Sequence, residues 1–148
     1  MNSEDKQHYS GRRSKITDCG ILQLRMIHNR AGNITPVENS IDIPFDVKRV
    51  YYLYDIPGGA SRAAHGHKEL EQLVIAASGS FDITISDGAN KVTHQLNRSY
   101  LGLHIKPGIW RDISNFSSGA ICLVLASDFY DEEDYLRDYN EFINYKLL

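Results

Sequence analysis

The residues best suited to chemistry stand in "GASRAAHGHKELEQLVIAASG", Gly59 to Gly79, where His65 and His67 sit two apart just ahead of an apolar run. Alternate positions of an extended strand share a face, so both imidazoles point the same way. Three uses are open to such a pair. Two imidazoles can ligate a metal if oxygen or sulfur ligands complete the set. They can move protons, since an ordinary imidazole pKa of about 6.5 suits taking and giving a proton near neutral pH. They can also pack without a task, which is costly if both are buried.

The spacing runs Gly59, five residues, His65, one residue, His67, four residues, Gln72, six residues, Gly79. It resembles the first signature of the cupin superfamily, small jelly-roll barrels in which two histidines and a glutamate ligate metal and a second signature adds a third histidine. Here Gln72 stands at the glutamate position. In "GLHIKPGIWRDISNF" the histidine position falls on Arg111 or Asp112. A neutral amide is a poor substitute for a carboxylate, and a guanidinium offers no acceptor atom. Glu69 and Glu71 could supply the missing carboxylate if "HGHKELE" were one regular strand. Two good ligands out of an expected four nevertheless argue against tight metal binding. The expectation is proton transfer without a metal or other cofactor.

The elements that must position these groups read as short strands. With 148 residues, 42% apolar and 24% charged, the chain has the composition of one globular domain. Residues 1–18 are polar and aperiodic and read as a flexible N-terminal tail, with one domain over 19–148. "ILQLRMIH", "VKRVYYLYDIPGG", "LEQLVIAASGSFDITISDG", "YLGLHIKPG" and "AICLVLAS" carry the strand pattern. In "FDITIS", Phe81, Ile83 and Ile85 share one face and Asp82, Thr84 and Ser86 the other. Strands this short and regular suggest a sandwich or barrel, hence an all-β fold. Near the end the period changes. Tyr135, Leu136, Tyr139, Phe142 and Ile143 fit one face of a C-terminal helix, with Asp131 to Asp134 at its start where the dipole favours negative charge.

A net charge of −3 provides no basic field for nucleic acid or an anionic membrane. No run approaches the roughly 18 apolar residues of a spanning helix. "MNSEDKQHYSGRRSK" has no apolar core of a signal peptide. The only cysteines, Cys19 and Cys122, suit a reducing compartment, and a cytoplasmic location is expected.

Four longer strings, "IPFDVKRVYYLYDIPGG", "RAAHGHKELEQLVIAASGSFDI", "GLHIKPGIWRDISNFSSG" and "CLVLASDFYDEEDYLRDYNEF", resemble the WxcM-like sugar 3,4-ketoisomerases. The resemblance covers about residues 21–145 and is more specific than the cupin spacing. It implies a cupin jelly-roll barrel (double-stranded β-helix) with a C-terminal α-helix. It also implies a metal-free homodimer with exchanged N-terminal strands. The implied substrate is a dTDP-linked 4-keto-6-deoxyhexose, whose ketone moves from carbon 4 to carbon 3 through an enediol. The implied product feeds an aminotransferase in the biosynthesis of 3-amino-3,6-dideoxyhexoses for bacterial O-antigen and lipopolysaccharide. Residue by residue, the resemblance places the base on His67, an assisting role on His65 and a hydroxyl near the sugar on Tyr52, chosen from Tyr51, Tyr52 and Tyr54. Arg62, Arg49 and Arg30 become candidates for the diphosphate, for which a planar guanidinium fork is apt. Gln72, Trp110 and Arg111 complete the implied substrate-binding wall, and Trp110 is equally open to a core packing role. Two further readings stay in view: a cupin-type dTDP-sugar epimerase, and a nucleotide-sugar-binding cupin without turnover.

Overall fold

Period-2 patterning becomes pleated strands because each strand buries one face and leaves the other polar. In the computed structural model, which describes residues 11–147, the strands in chain order are β1 (Gly20–Gln23), β2 (Ile27–Asn29), β3 (Gly32–Ile34), β4 (Arg49–Leu53), β5 (Arg62–His67), β6 (Gln72–Ser78), β7 (Phe81–Ser86), β8 (Lys91–Leu96), β9 (Leu101–Ile105), β10 (Trp110–Ser114), β11 (Ile121–Ala126) and β12 (Tyr135–Leu136). One helix, α1 (Tyr139–Leu147), follows. One sheet runs β1-β9-β6-β11-β4 and the other β12-β5-β10-β7-β8, with every pairing antiparallel. β2 and β3 form a separate hairpin. This is the all-β jelly roll with a C-terminal helix.

Phe81, Ile83 and Ile85 of β7 are fully buried, as their alternation requires. They pack with Ile113 from their own sheet and with Val74, Leu103, Ile105, Cys122 and Val124 from the other. β6 departs from alternation and is buried from Gln72 through Ala76. Its outward Leu73 and Ile75 lie under a second cluster built from Leu24, Ile43 and Leu125, with Val37, Phe45 and Val47 from the connection before β4.

Two expectations need correction. Residues 11–18 are not a flexible tail. The Lys146 ammonium donates to the carbonyls of Gly11 (3.0 Å) and Ser14 (2.8 Å), and Ile16 N–H donates to Asp87 (3.0 Å). Gly108, at φ 74°, lies so close to Gly11 that a Cβ there would overlap its carbonyl oxygen. Residues 1–10, the rest of that expected tail, lie outside the described residues. The second correction concerns Asp131 to Asp134, which do not start the helix. They form a 3-10 turn over Glu132–Asp134 leading into β12, so Tyr135 and Leu136 are strand residues paired with His67 and Gly66. The helix is capped instead by Asp138, whose carboxylate accepts from Glu141 N–H (3.0 Å). Its apolar side, Phe142 and Tyr145, packs on Trp110 and Leu136.

Candidate active site

A cavity of about 380 Å3 opens between the sheets, within the range of small-ligand sites. β4 contributes Arg49 and Tyr51, β5 Arg62 and His65, β6 Gln72, and β10 Arg111. Tyr135 and Arg137 close one side from the C-terminal segment. Arg62 and His65 are three apart, and a regular strand would send them to opposite faces. A bulge resolves the parity: Arg111 pairs with His65 and Ile113 with Arg62, so three steps on β5 match two on β10. Ala63 absorbs the extra residue in the left-handed region at φ 63°. Both side chains therefore line the cavity.

His67 is 0% exposed and lies behind the cavity wall. Its ring sits 4.3 Å from that of Tyr135 and 4.9 Å, edge to face, from that of His65. Its Nδ1 pairs with Asp134 Oδ2 at 2.9 Å. Asp134 is itself held by the backbone N–H of Glu69 (2.8 Å), and its carbonyl accepts from Lys68 N–H (3.0 Å). A carboxylate at Nδ1 retains the proton there and leaves Nε2 as the basic atom. Nε2 of both His65 and His67 is buried without a hydrogen-bond partner. Two buried, unpartnered ring nitrogens side by side are costly unless a ligand satisfies them.

Burial, with Arg111 and the neighbouring imidazole adding to it, pushes His65 down to about 2. Burial also pushes His67 down to about 4, opposed by its bond to Asp134. Both rings are neutral near pH 7, and His67 is the stronger base. Arg111, 1% exposed, donates to Gln72 Oε1 (2.5 Å) and to the Ile109 carbonyl (2.8 Å). Burial lowers its pKa to about 10, so it keeps its charge at neutral pH. Gln72 Nε2 in turn donates to the Tyr51 hydroxyl at 3.0 Å. A buried cation with no paired carboxylate stabilises negative charge that develops nearby.

Metal ligation does not fit these side chains. The guanidinium of Arg111 holds the amide of Gln72, where cupin metal sites carry carboxylate and imidazole. It also repels a cation. Glu71, the nearest alternative carboxylate in sequence, is engaged with His104 Nε2 at 2.8 Å. Among the described residues no group of three His, Cys, Asp or Glu could hold a metal ion.

The structure brings together His65, Gln72, Arg49, Arg62 and Arg111 at the cavity, with His67 directly behind. Arg49 has Nε and Nη2 buried and unpartnered, within cation–π distance of Tyr51 (5.3 Å) and Tyr130 (5.6 Å). Three expected site residues fall elsewhere. Tyr52 is 58% exposed on the outer face of β4 and stacks on Tyr54, while Tyr51 faces inward. Trp110 belongs to the cluster under α1, with Phe142 and Leu136 around it. Arg30 sits in the turn between β2 and β3 and is not among the residues that line this cavity. Sequence reasoning missed Asp134, Tyr135 and Arg137, all within or beside the run that reads as a helix start. Arg137 stacks over Tyr135 at 4.2 Å and is tied to Glu132 by two bonds of 2.5 and 2.8 Å.

Fold and site together define a cupin with a buried histidine pair at its cavity. The family model described as "FdtA: WxcM-like, C-terminal" matches residues 17–147. The chain is 37% identical over 125 residues to TDP-4-oxo-6-deoxy-alpha-D-glucose-3,4-oxoisomerase from Aneurinibacillus thermoaerophilus, covering 84% of this chain and 90% of that one. It superposes on the WlaRB TDP-quinovose 3,4-ketoisomerase of Campylobacter jejuni with a TM-score of 0.83 and 48% identity, covering 87% and 99% of the two chains. A mutant of the 3,4-ketoisomerase QdtA from Thermoanaerobacterium thermosaccharolyticum, in complex with TDP-4-keto-6-deoxyglucose, gives a TM-score of 0.83 at 38% identity over 85% and 91%. The chain belongs to the FdtA (WxcM-like) family of sugar 3,4-ketoisomerases and is an isomerase.

Proposed function

We propose that this chain converts TDP-linked 4-keto-6-deoxyglucose to the 3-keto isomer, with His67 as base and Asp134 as the group that aims it. The observation that carries the reading is the buried, neutral His65–His67 pair with both Nε2 atoms unpartnered beside a cavity that holds a buried guanidinium. Relatives whose substrates are TDP-sugars support the choice of substrate.

The ketone at carbon 4 acidifies the hydrogen on carbon 3, yet a neutral imidazole removes such a proton only if the forming enolate is stabilised. His67 Nε2 takes the carbon 3 proton. The oxygen on carbon 4 gains a proton from Tyr51, in the role the sequence reading assigned to Tyr52. The result is an enediol, with hydroxyls on both carbons. The carbon 3 hydroxyl then returns a proton to the Tyr51 oxygen, with His65 on the cavity wall as relay, and His67 delivers its proton to carbon 4. One ketone and one alcohol exchange places, so electrons balance within the sugar. Burial raises the Tyr51 pKa, and Arg111 with the Gln72 amide opposes that rise by favouring negative charge on its oxygen. Arg49 and Arg62 are proposed to hold the diphosphate.

We also propose a homodimer with exchanged N-terminal strands. Edge strand β4 presents Val50 and Tyr52 to solvent, Tyr54 is exposed just beyond it, and Ile27 and Ile34 are exposed on the β2–β3 hairpin. Such edges invite pairing with a second copy. The product is suited to an aminotransferase that acts on the new 3-ketone, on the way to a 3-amino-3,6-dideoxyhexose of a bacterial surface glycan. No helix among the described residues is long and apolar enough to cross a membrane. Neither the epimerase nor the non-catalytic reading has a specific observation in its favour.

The test is NMR of the purified protein with TDP-4-keto-6-deoxyglucose in deuterium oxide. The expected result is a 3-keto product, with label confined to carbon 4 and present there only to the extent that the proton on His67 exchanges with solvent before its return; product is lost in His67→Asn while TDP binding persists. Exchange at carbon 5, or binding without any 3-keto product, would replace this reading by the epimerase or the sensor.

A further inference from the structure

Gln72 is 1% exposed and touches two groups that carry the proposed chemistry. Arg111 has only donors to offer, so the atom facing its Nη1 at 2.5 Å must be the amide oxygen. That fixes the flip of the amide and turns its NH2 toward the Tyr51 oxygen at 3.0 Å. An NH2 group can only donate. The Tyr51 oxygen therefore accepts, and its own proton is directed to another acceptor. Among the described residues Gln72 is the one hydrogen-bond partner of that hydroxyl. The remaining direction for the proton is the cavity, which Tyr51 lines.

We propose that Gln72 is a positioning residue that sets hydrogen-bond polarity: anchored by Arg111, its amide compels Tyr51 to present a proton to the bound ligand. The inference rests on the ketoisomerase reading for its kinetic consequence, though not for the direction of the hydrogen bond. Glutamate would keep the shape and bind Arg111 as well or better. A carboxylate, however, can only accept, so it would draw the Tyr51 proton away from the ligand. Methionine would fill the space, leave Arg111 without this partner and leave the hydroxyl free to turn either way. Polarity and simple anchoring thus rank the two variants in opposite order.

Gln72→Glu and Gln72→Met are compared for isomerisation of TDP-4-keto-6-deoxyglucose, with chelator present because a carboxylate in place of this amide, beside His65 and His67, would recreate a metal ligand set. Gln72→Glu is expected to lose about a hundredfold in kcat with KM within about threefold, and Gln72→Met to lose less. In a Tyr51→Phe background the further loss from Gln72→Glu should vanish. A second readout needs no substrate. With tyrosine labelled at the ring carbon bearing oxygen, NMR titration should show the Tyr51 pKa raised by Gln72→Glu, since a carboxylate opposes the phenolate. Circular dichroism confirms that each variant is folded. Gln72→Glu equal to or faster than Gln72→Met, or an unmoved Tyr51 titration in Gln72→Glu, overturns the proposal. If the wild-type protein fails to isomerise the sugar, the functional reading falls, and the Tyr51 titration in Gln72→Met decides the direction of the hydrogen bond: loss of a donated amide hydrogen should raise the Tyr51 pKa, and an unmoved value overturns the proposal.

Discussion

Asp134 gives His67 its direction, and the two side chains are separated by 67 positions in the chain. Asp134→Asn keeps the shape, but its amide can face Nδ1 with a donor and so favour the other tautomer. Turnover is expected to fall at least a hundredfold with little change in TDP affinity, measured by single-turnover kinetics and calorimetry. Tyr51→Phe should fall by a similar factor, whereas Tyr52→Phe should keep wild-type kcat within about twofold, because its ring stands outside the barrel. The histidine pair was legible in the sequence because spacing two on one strand has a single geometric meaning. The choice of tyrosine was not legible, and the sequence reading took Tyr52. Parity says only that Arg49 and Tyr51 share one face and Tyr52 the other, and it takes the pairing of Tyr51 with the buried Val124 to fix which face is inward. Asp134 and Tyr135 were hidden because an acidic run before apolar residues also describes a helix start. Only the return of the chain against β5 makes it a wall of the cavity.

Among the elements, β5 shows how a strand can break its own period to serve a site. The bulge at Ala63 turns Arg62 onto the face of His65, and an alanine at φ 63° bears the strain. Ala63→Gly relieves the steric part while adding freedom to the unfolded chain. A net gain of about 0.5–1 kcal/mol is expected from urea unfolding, with the TDP dissociation constant within about twofold. The succession of short strands along the chain and the β7 alternation could be read from composition and period, but bulges could not, since they answer to a partner strand distant in sequence. Gly108 illustrates the same limit. Its N–H donates to the His67 carbonyl at 2.6 Å, and the Gly11 backbone rests against its α-carbon side. Gly108→Ala should release residues 11–18 from the barrel, seen as faster amide exchange in that segment, because the added Cβ has only rigid backbone to meet.

For the molecule as a whole, the neutral imidazoles link stability to pH. The ordinary histidine value is 6.5, and the folded values of about 4 for His67 and about 2 for His65 lie below it. The unfolded chain therefore binds protons first. Stability is fully present above about pH 6.5, declines as pH falls toward about 4, and declines further toward about 2. Asp134, whose carboxyl is held below its ordinary range by His67 and backbone N–H groups against the opposing effect of burial, adds to the loss on the acid side. Urea midpoints between pH 7.5 and 4.5 should fall in the wild type and fall less in a His65→Asn, His67→Asn double variant.

The strand that closes the cavity is also the last of the described strands to be made. A ribosome that has released everything up to β11 has finished two nearly complete sheets and both imidazoles, yet not the carboxylate that orients one of them. The proposed base is thus aimed only after the strands of both sheets exist. A proteolytic cut between β11 and β12 would be expected to extinguish turnover.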